Sequence, residues 1–486
     1  MRRVLPEDIE VRDDLVLFLR AGHTATRHGS FYASQHASAM STSFLHAYVC
    51  ACHRRRYARC LATGLTDHMA AGIVFQLLTT TAPGHPIERS EEGQLIAAAL
   101  RRMPPQRVYR LFTRLRVARV NHRRCRATIR TWLGTRDLAF DAVKYRRGLR
   151  DALRHAHLRP DAEVADFVFN GARSRTRWDH PLLDTVRQTY FSMEAVYALP
   201  YTVAEGIAAR RGISRSTFLA RIAPQLTAGE RRRMMTASTK GRPTRDALSR
   251  MPLDRLCRYV LSLPRTQPTV DQPVTRADLA DDLSHALSHA TRRVAVRMQV
   301  GRRPRSLAVV LDRSHSMGGA PGARNHPLAV AMGVALLARQ LCASATVHWT
   351  HPVPDLHSLH AFGPTDLATP LLAALRHRPE EVWVVSDGME TGQQGEANEV
   401  MRIWRTRLAR HASTRFIHFN PVFEATSLEP RSLGSESVTL GIRRAADLAR
   451  VRDLAHLHHP HTTLSAVDAW LDACTRRTLA PAREVA

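Results

Sequence analysis

The sequence predicts an array of antiparallel helix pairs followed by a doubly wound α/β domain. Apolar residues recur at helical spacing, separated by short Gly, Pro or Thr breaks, from the N-terminus to about residue 300. After that point, short apolar strands alternate with helices, which is typical of a parallel sheet covered by helices. With 486 residues and 44% hydrophobic content, the chain can form two or three cores. We therefore predict one domain in residues 1–298 and a second in residues 303–486.

The helical part has no strict sequence period, so the array is predicted from helix lengths and connections. Its predicted helices include Met69–Thr79, Glu92–Arg102, Gln106–Val120, Arg124–Leu133, Leu138–Arg147 and Asp161–Asn170. A proline-rich stretch at residues 263–273 interrupts the array. One more amphipathic helix, Arg276–Arg293, then leads to a basic joint at residues 301–305.

The second part alternates strands and helices. The predicted strands are Ser306–Leu311, Ala345–Trp349, Leu356–Phe362, Val382–Ser386 and Arg415–Phe419. The predicted helices are Pro327–Leu341, Leu367–Arg376, Glu396–Ala409 and one near Thr463–Cys474. The sequence contains neither Gly-x-x-x-x-Gly-Lys nor Gly-x-Gly-x-x-Gly, the glycine-rich loops that hold phosphates. We therefore do not expect this domain to hydrolyse nucleotides.

Oxygen-bearing side chains follow the predicted strands of this domain. Asp312, Ser314 and Ser316 come after the first strand, Thr365 lies in a later loop, and Asp387 follows the strand that ends at residue 386. In an open parallel sheet these loops meet in the crevice beyond the carboxyl ends of the strands. An all-oxygen set with two negative charges suits a divalent cation that keeps waters, Mg²⁺ before Ca²⁺. A short Asp/Ser loop alone is a common turn, so the prediction depends on all five residues.

The same five residues resemble the metal-ion-dependent adhesion site of von Willebrand factor A domains. The resemblance covers roughly residues 303–486, with the expected residue types in the expected order. It implies that the ion's open coordination position accepts a carboxylate or other oxygen from a partner. It also implies a binding site at which no reaction occurs.

The charge of the chain points to polyanionic partners. The formal net charge is +28, far more than solubility requires. Two of the 71 basic residues are lysines and 69 are arginines, a ratio typical of a GC-rich genome and not of RNA recognition. That bias does not explain the shortage of Asp and Glu. Residues 101–160 contain eighteen Arg or Lys against three Asp, and guanidinium groups suit phosphate oxygens. The alternative is a solvated arginine face.

Two strings in this basic segment resemble the TROVE module of the Ro autoantigen family. They are residues 127–146, which include Ala-Val-Lys-Tyr-Arg, and residues 153–160, Leu-Arg-His-Ala-His-Leu-Arg-Pro. The domain order is also similar, because that family joins a helical ring to a C-terminal von Willebrand A domain. The loop Gly363–Leu375 is similar to the family's loop around its metal-site threonine.

The resemblance implies a ring of HEAT-like repeats that binds small structured or misfolded RNA, and bacterial members that act with exonucleases. By position it implies RNA contacts from Lys144, Tyr145, Arg146, Arg147, His157 and Arg159, to which the basic pattern adds Arg123 and Arg124. One departure concerns the segment between the two helices. It is shortened here to Gly148-Leu149-Arg150, without the family's aromatic and histidine residues.

Three functions remain open on the sequence. The first is a Ro-like RNA-binding protein without catalysis of its own. The second is a protein-binding scaffold of the von Willebrand A type in an ATPase-associated or conflict-system assembly. The third is an enzyme, which is disfavoured because His315 and the cluster at residues 458–461 lack a partnered nucleophile or metal-ligand spacing. Nucleic acid that co-purifies with the protein would separate the first function from the second.

The sequence also favours a cytoplasmic location. The seven cysteines are an odd, scattered set in mostly apolar contexts, which indicates buried thiols in a reducing compartment. No apolar stretch approaches the length of a membrane-spanning helix, and the N-terminus lacks the apolar core of a signal peptide.

Overall fold

A computed structural model of the chain describes most of its residues, in two compact units. The described residues are 6–24, 35–227, 230–231, 243–265, 267, 274–297, 304–320, 324–392, 394–408, 414–422, 431–458 and 462–480. One unit, called here the helical unit, comprises residues 46–234 and 471–486. The other, the sheet unit, comprises residues 1–45 and 235–470. The predicted domain boundary at residues 298 and 303 lies outside the described residues.

The helical unit is built from short helices with short connections. Its helices are α2 (Gln35–Arg59, from residue 46), α3 (Asp67–Thr79), α4 (Pro86–Arg102), α5 (Pro105–Val117), α6 (Arg123–Leu133), α7 (Leu138–Lys144), α8 (Arg146–Ala156), α9 (Ala162–Asn170), α10 (Pro181–Gln188), α11 (Glu194–Tyr197), α12 (Tyr201–Arg210) and α13 (Arg215–Ile222). Side chains that accept a backbone N–H begin several of them, as Thr66 does for α3 and Asp161 for α9. No strand occurs among the described residues of this unit. The predicted helical array is therefore confirmed.

Several contacts between these helices share a sequence separation, although others, such as Arg54 to Glu92 and His122 to Leu78, lie 38 and 44 residues apart. Hydrogen bonds join Arg59 to Glu91, Tyr109 to Asp141, Glu92 to Arg124 and Leu100 to Trp132, each pair 32 residues apart. Two further bonds, from Arg116 to Asp151 and from His155 to Val120, span 35 residues. A recurring offset is what stacked repeats of one helical unit produce. The repeat is hidden in the sequence because the paired residue types differ at each position.

Gly148 allows a close crossing of α5 and α8. A Cβ atom at Gly148 would lie 2.7 Å from the Cβ of Tyr109. Tyr109 cannot give way easily, because its hydroxyl donates to Asp141 at 2.7 Å and its ring packs edge-on against Trp132. The predicted helix Leu138–Arg147 is divided here into α7 and α8, since Tyr145 has non-helical backbone angles.

The sheet unit contains a five-stranded parallel sheet. The strands are β1 (Leu307–Leu311), β2 (Ala345–Trp349), β3 (Glu381–Val385), β4 (Arg415–Asn420) and β5 (Val438–Gly441), in the order β2-β1-β3-β4-β5. Their helical partners are α17 (His326–Leu341), α18 (Ala368–Leu375), α19 (Glu396–Arg407) and α20 (Leu448–Leu457). The residues of β1 and β3 are buried throughout, as expected for central strands covered on both faces.

Helices from distant parts of the chain complete the sheet unit. α14 (Arg245–Ser249), α15 (Leu253–Ser262) and α16 (Ala280–Arg297) pack together, and α15 and α16 contact α17. α1 (Pro6–Thr24) packs against α20 and β5. A last helix, α21 (Leu464–Leu479), begins in the sheet unit and ends in the helical unit. The sheet unit therefore includes helices that the sequence analysis assigned to the first domain.

The predicted strand Leu356–Phe362 is wrong, because this segment is a loop. The Asp355 carboxylate accepts the backbone N–H groups of His357 and Ser358, at 2.7 and 2.9 Å, which forms a turn. Arg276 then donates to the carbonyls of His357 and Leu359, at 2.9 and 2.6 Å. The carbonyl groups of His357 and Leu359 are therefore not available to pair with a neighbouring strand. The strand β5 and the helix α20 were not predicted.

Three further features of the sequence can be compared with the structure: the cysteines, possible membrane spans and the histidine cluster. None of the seven cysteines forms a disulfide, and all except Cys52 are buried. No helix in the described ranges has the length and hydropathy of a membrane span. The predicted histidine cluster at residues 458–461 is described only at His458.

Candidate functional site

The first part of the candidate metal site lies directly after β1. Asp312 extends the sheet, because its N–H donates to the carbonyl of Val385 at 2.9 Å. Its side chain is fully buried, and its Oδ1 accepts the N–H of Ser314 at 2.7 Å. The Ser314 and Ser316 hydroxyls are 3.0 Å apart, with Ser316 exposed. The loop therefore turns back so that one carboxylate and two hydroxyls lie close together.

Backbone hydrogen bonds hold the second loop against the first. The N–H of His315 donates to the carbonyl of Gly363 at 3.1 Å, two residues before Thr365. Gly363 has a φ of 75°, and a side chain there would also meet the ring of His351 at 2.5 Å. Thr365 is buried, and its N–H donates to the hydroxyl of Thr391 at 2.8 Å. These contacts place Thr365 beside the Asp312 loop.

The third loop follows β3, the strand next to β1. Asp387 is 7% exposed, and its Oδ1 accepts the N–H of Met389 at 3.0 Å. Ser386 donates its hydroxyl to Oδ2 of Asp312 at 2.9 Å, which joins the first and third loops. From the sequence, Ser386 was predicted only as the end of a strand. Its position directly before Asp387 could have indicated that it belongs to the candidate site.

The electrostatics of this crevice suit a cation. Burial, with a smaller contribution from the carboxylate of Asp387, raises the pKa of Asp312 to about 6, although hydrogen bonds from Ser314 and Ser386 oppose the rise. No lysine or arginine in the described part of the chain pairs with Asp312 or Asp387. Arg313, the nearest in sequence, directs its guanidinium to the carbonyl of Pro352 instead. Two buried carboxylates without a counter-ion, together with hydroxyls, fit a hard divalent cation such as Mg²⁺.

The described residues contain no group of three or more His, Cys, Asp or Glu side chains that could hold a metal. A metal at this site would therefore depend on the hydroxyl oxygens of Ser314, Ser316 and Thr365 as well as on Asp312 and Asp387. Such an ion would keep an open position for an oxygen of another molecule.

Two of the predicted RNA-binding arginines are engaged within the helical unit. Arg124 donates to Glu92 at 2.5 Å, and Glu92 is 3% exposed. Arg54 pairs with the same carboxylate at 2.9 Å, so that Glu92 is held by two guanidinium groups. Arg146 donates to the carbonyl of Val168 at 2.9 Å. Replacing Arg124 or Arg146 would therefore disturb the fold as well as any RNA contact.

Lys144 and Tyr145 lie at the junction of α7 and α8. The Lys144 ammonium is 5.5 Å from the centre of the Tyr145 ring and 5.7 Å from that of Phe140. The Tyr145 ring is 5.7 Å from that of Tyr109, and its side chain is half-buried. This pair presents a cation beside an aromatic ring.

The other four predicted residues are exposed. Arg123 is the first residue of α6, and Arg147 lies in the first turn of α8. His157 ends α8 in the left-handed conformation, with a φ of 50°, and Arg159 follows it. The guanidinium groups of Arg123, Arg147 and Arg159 have no partner among the described residues.

The acidic residues of segment 101–160 are largely withdrawn from the surface. Asp141 is fully buried and is bonded to Tyr109 and Arg136. Asp151 is 8% exposed and pairs with Arg116 at 3.4 Å. Asp137 is exposed but accepts the N–H of Phe140, which begins α7. The helices α5, α6 and α8, which contact one another, carry most of the arginines.

In contrast, many of the basic residues remain exposed. Six exposed arginines of this segment have guanidinium groups for which the described residues provide no partner: Arg101, Arg110, Arg119, Arg123, Arg147 and Arg159. We call these six the free arginines. The exposed charge of this segment is therefore almost entirely positive.

Comparison with known proteins places the fold. No protein-family model and no curated protein matches the sequence. Among solved structures, the crystal structure of the Deinococcus radiodurans Ro (RSR) protein matches with a TM-score of 0.54 and 16% sequence identity. The match covers 92% of this chain and 99% of that chain. The chain has a Ro-like fold. This confirms the predicted fold class and the resemblance to Ro proteins, while at 16% identity the binding properties have to be argued from the chain's own residues.

Proposed function

We propose that this Ro-like chain is an RNA-binding protein that acts without catalysis of its own. Small structured or misfolded RNA would bind to the helices α5–α8, in the cytoplasm, and the bound RNA or the metal site would recruit partners such as exonucleases. The observation that carries the proposal is the exposed charge of segment 101–160. Six free arginines face solvent there, whereas two of the three acidic residues are buried in contacts with the fold.

This distribution favours a polyanion over a solvated arginine face. Surface arginines that only keep a protein soluble are commonly interspersed with exposed acids. Here Asp141 and Asp151 are turned inward, so they do not offset the positive potential at the surface. Exposed guanidinium groups form bidentate bonds with phosphate oxygens and release counter-ions when nucleic acid binds. The Lys144–Tyr145 pair adds an aromatic ring of the kind on which single-stranded bases stack.

We also propose that the crevice beyond β1 and β3 binds Mg²⁺ or another divalent cation. Asp312, Ser314, Ser316, Thr365 and Asp387 would hold the ion directly or through water. When bound, the ion supplies an electrophilic position for an oxygen ligand of a partner. The buried carboxylates without a counter-ion support this proposal, because an ion would neutralise them.

The same crevice supports a second candidate function. A site that awaits an oxygen ligand from a partner is also what a protein-binding scaffold would use, in an ATPase-associated or conflict-system assembly. Such a scaffold has no need of the free arginines in segment 101–160. The two functions therefore differ in whether those arginines contribute to binding.

Substitution of three free arginines tests the RNA-binding function. Changing Arg110, Arg147 and Arg159 together to Gln preserves helix propensity and removes no described ion pair. We expect weaker binding of an RNA hairpin with a single-stranded tail. We also expect the slope of log affinity against log salt to become shallower by about 2, since each phosphate contact contributes roughly 0.7–0.9.

A matched control removes the same charge elsewhere. Arg339, Arg376 and Arg407 are also exposed and without described partners, but they lie in the sheet unit. Changing these three to Gln should leave affinity and slope nearly unchanged. Equal losses in the two triple variants would mean that only net charge matters. An unchanged slope in the first variant would favour the scaffold function.

A further inference from the structure

A groove of about 600 Å³ lies between α4 and α6 in the helical unit. Its walls include the small residues Gly93, Ala97 and Ala127, and Trp132 lies at its base. The indole N–H of Trp132 donates to the carbonyl of Leu100 at 3.2 Å, which fixes α6 on α4. A volume of this size is within the range of sites for small molecules and cofactors, roughly 300–1,000 Å³.

The base of the groove is rigid. The ring of Trp132 packs edge-on against Tyr109 and Phe112, with ring centres 5.1 and 5.4 Å apart. Trp132 is 5% exposed, so the ring is held on most sides. The helices α4 and α6 run parallel, because Glu92 contacts Arg124 and Leu100 contacts Trp132 at the same offset. The width of the groove is therefore fixed by two contacts, one near each end.

Gly93 lies in the wall of the groove, at a position where a side chain would meet open space. It lies in the interior of α4, where glycine is less favourable than alanine by about 1 kcal/mol. A Cβ atom at this position would meet no atom within 4 Å, and the backbone has no positive φ. Neither packing nor backbone conformation therefore requires glycine here. A large side chain at this position would therefore extend into open space within the groove.

The rim of the groove is positive. Arg89, Arg101, Arg123 and Arg124 line it, and of these Arg101 and Arg123 are free arginines. None of the described residues that line the groove is acidic, and Glu92, next to Gly93 in the sequence, is buried and paired with two arginines. Because α4 and α6 are parallel, Arg101 at the end of α4 and Arg123 at the start of α6 lie towards opposite ends of the groove. The groove thus has a free arginine towards each end.

We propose that this groove binds an unstacked base of single-stranded RNA, with phosphates of the same strand on Arg101 and Arg123. The proposal rests on the RNA-binding function proposed above. A nucleobase has flat apolar faces that suit the walls of small residues, and the hydroxyl of Thr131 on the rim can bond to its edge. Arg101 and Arg123, one towards each end of the groove, can each bond to a phosphate of the strand. An apolar peptide would gain nothing from these cations.

Filling the groove at Gly93 tests the proposal. Gly93→Leu places a side chain in open space within the groove, with a residue that favours helix. We expect the affinity for a short oligouridylate to fall at least about fivefold, the size of one lost base contact. The control Gly93→Ala adds a single methyl group to the same position and should retain nearly the affinity of the unchanged protein. Circular dichroism and the melting temperature report whether both variants fold.

The outcomes separate this proposal from the one on which it rests. If the unchanged protein binds no oligouridylate and no tailed hairpin, the RNA-binding function itself fails. If it binds oligouridylate and Gly93→Leu binds equally well, the groove proposal fails and RNA binding stands. Photo-crosslinking with an oligouridylate that carries 4-thiouridine gives an independent readout. We expect crosslinked peptides within α4 or α6, and crosslinks found only in other helices would overturn the proposal.

Discussion

At the scale of single residues, the most informative side chain of the sheet unit is Asp312. It is fully buried, it has no cationic partner among the described residues, and burial raises its pKa to about 6. An ionised carboxylate in such a place is unfavourable by itself. The neighbouring loops nevertheless direct hydroxyl groups towards it from Ser314 and Ser386. These features agree with the proposed cation site.

The variant Asp312→Asn tests the role of this charge. The amide can keep both bonds, since its oxygen accepts from the N–H of Ser314 and its NH₂ donates to the hydroxyl of Ser386. In a chelator we expect its melting temperature to equal or exceed that of the unchanged protein, because a buried charge is removed. Excess Mg²⁺ should stabilise only the unchanged protein, by about 2.7 kcal/mol at one hundred times the dissociation constant. Equal stabilisation of both proteins by Mg²⁺ would contradict the metal assignment.

His418 makes the sheet unit sensitive to acid. It is fully buried in β4, its Nε2 donates to the carbonyl of Ser386 at 3.0 Å, and its Nδ1 accepts from the hydroxyl of Thr439 at 3.1 Å. Burial lowers its pKa from 6.5 to about 4. Between these pH values the unfolded chain binds a proton that the folded chain does not. The contribution of neutral His418 to stability is thus complete above pH 6.5 and decreases as the pH falls towards 4.

Replacing His418 by Gln should flatten this acid response. Gln cannot titrate but can still donate to Ser386. The melting temperature of the variant is expected to be lower at pH 7, and the difference from the unchanged protein should narrow as the pH falls from 6.5 to 4.5. The full effect corresponds to about 3 kcal/mol over the whole shift. A constant difference across this pH range would show that His418 does not carry the response.

At the scale of helices and strands, the sequence predicted the central elements well. The apolar runs before Asp312 and Asp387 became the central strands β1 and β3, because parallel strands buried on both faces are apolar throughout. The segment Leu356–Phe362 was also predicted as a strand but is a loop, in which Arg276, distant in the sequence, donates to the carbonyl groups of His357 and Leu359. Such long-range contacts are not visible in local patterns.

Gly148 shows a second limit of sequence reading. In the sequence it marked only a departure from the family's pattern, whereas in the structure it lets α8 approach Tyr109 of α5. We expect Gly148→Ala to lower the free energy of unfolding by about 1–3 kcal/mol, because the new methyl group would overpack a fixed contact. Denaturation in urea, with circular dichroism as the signal, measures this change.

Gly93→Ala is the matched control for that prediction. It makes the same change within a helix of the same unit, but its methyl group enters open space. We expect it to be neutral or to stabilise the protein by up to about 1 kcal/mol. Equal effects at both positions would mean that helix propensity and not close packing determines the result.

At the scale of the whole molecule, the sequence predicted the order of the two architectures but not the composition of the units. The helix α1 belongs to the sheet unit through its contacts with α20 and β5, and α15 and α16 cover α17. The end of α21 belongs to the helical unit. These associations join segments that are tens to hundreds of residues apart, so local periodicity and composition do not reveal them. The placement of Asp312, Thr365 and Asp387 in loops beside strands or helices was predictable, because each directly follows or precedes a recognisable element.

The charge is also a property of the whole molecule, and its placement decides its meaning. A net charge of +28 could be spread evenly over the surface, as codon bias alone would predict. The structure instead buries Asp141 and Asp151, two of the three acids of segment 101–160, whereas the free arginines are exposed. The net charge could be calculated from the sequence, but the separation of exposed positive from buried negative side chains depends on which of them the helices bury.

The salt dependence of RNA binding by the unchanged protein tests the central claim most directly. The affinity for an RNA hairpin with a single-stranded tail would be measured by fluorescence anisotropy over a series of salt concentrations, with a duplex lacking the tail for comparison. If at least four of the free arginines contact phosphates, log affinity should fall against log salt with a slope of about −3 or steeper. A slope near zero, or no binding at low salt, would contradict the assignment of this Ro-like chain as an RNA-binding protein.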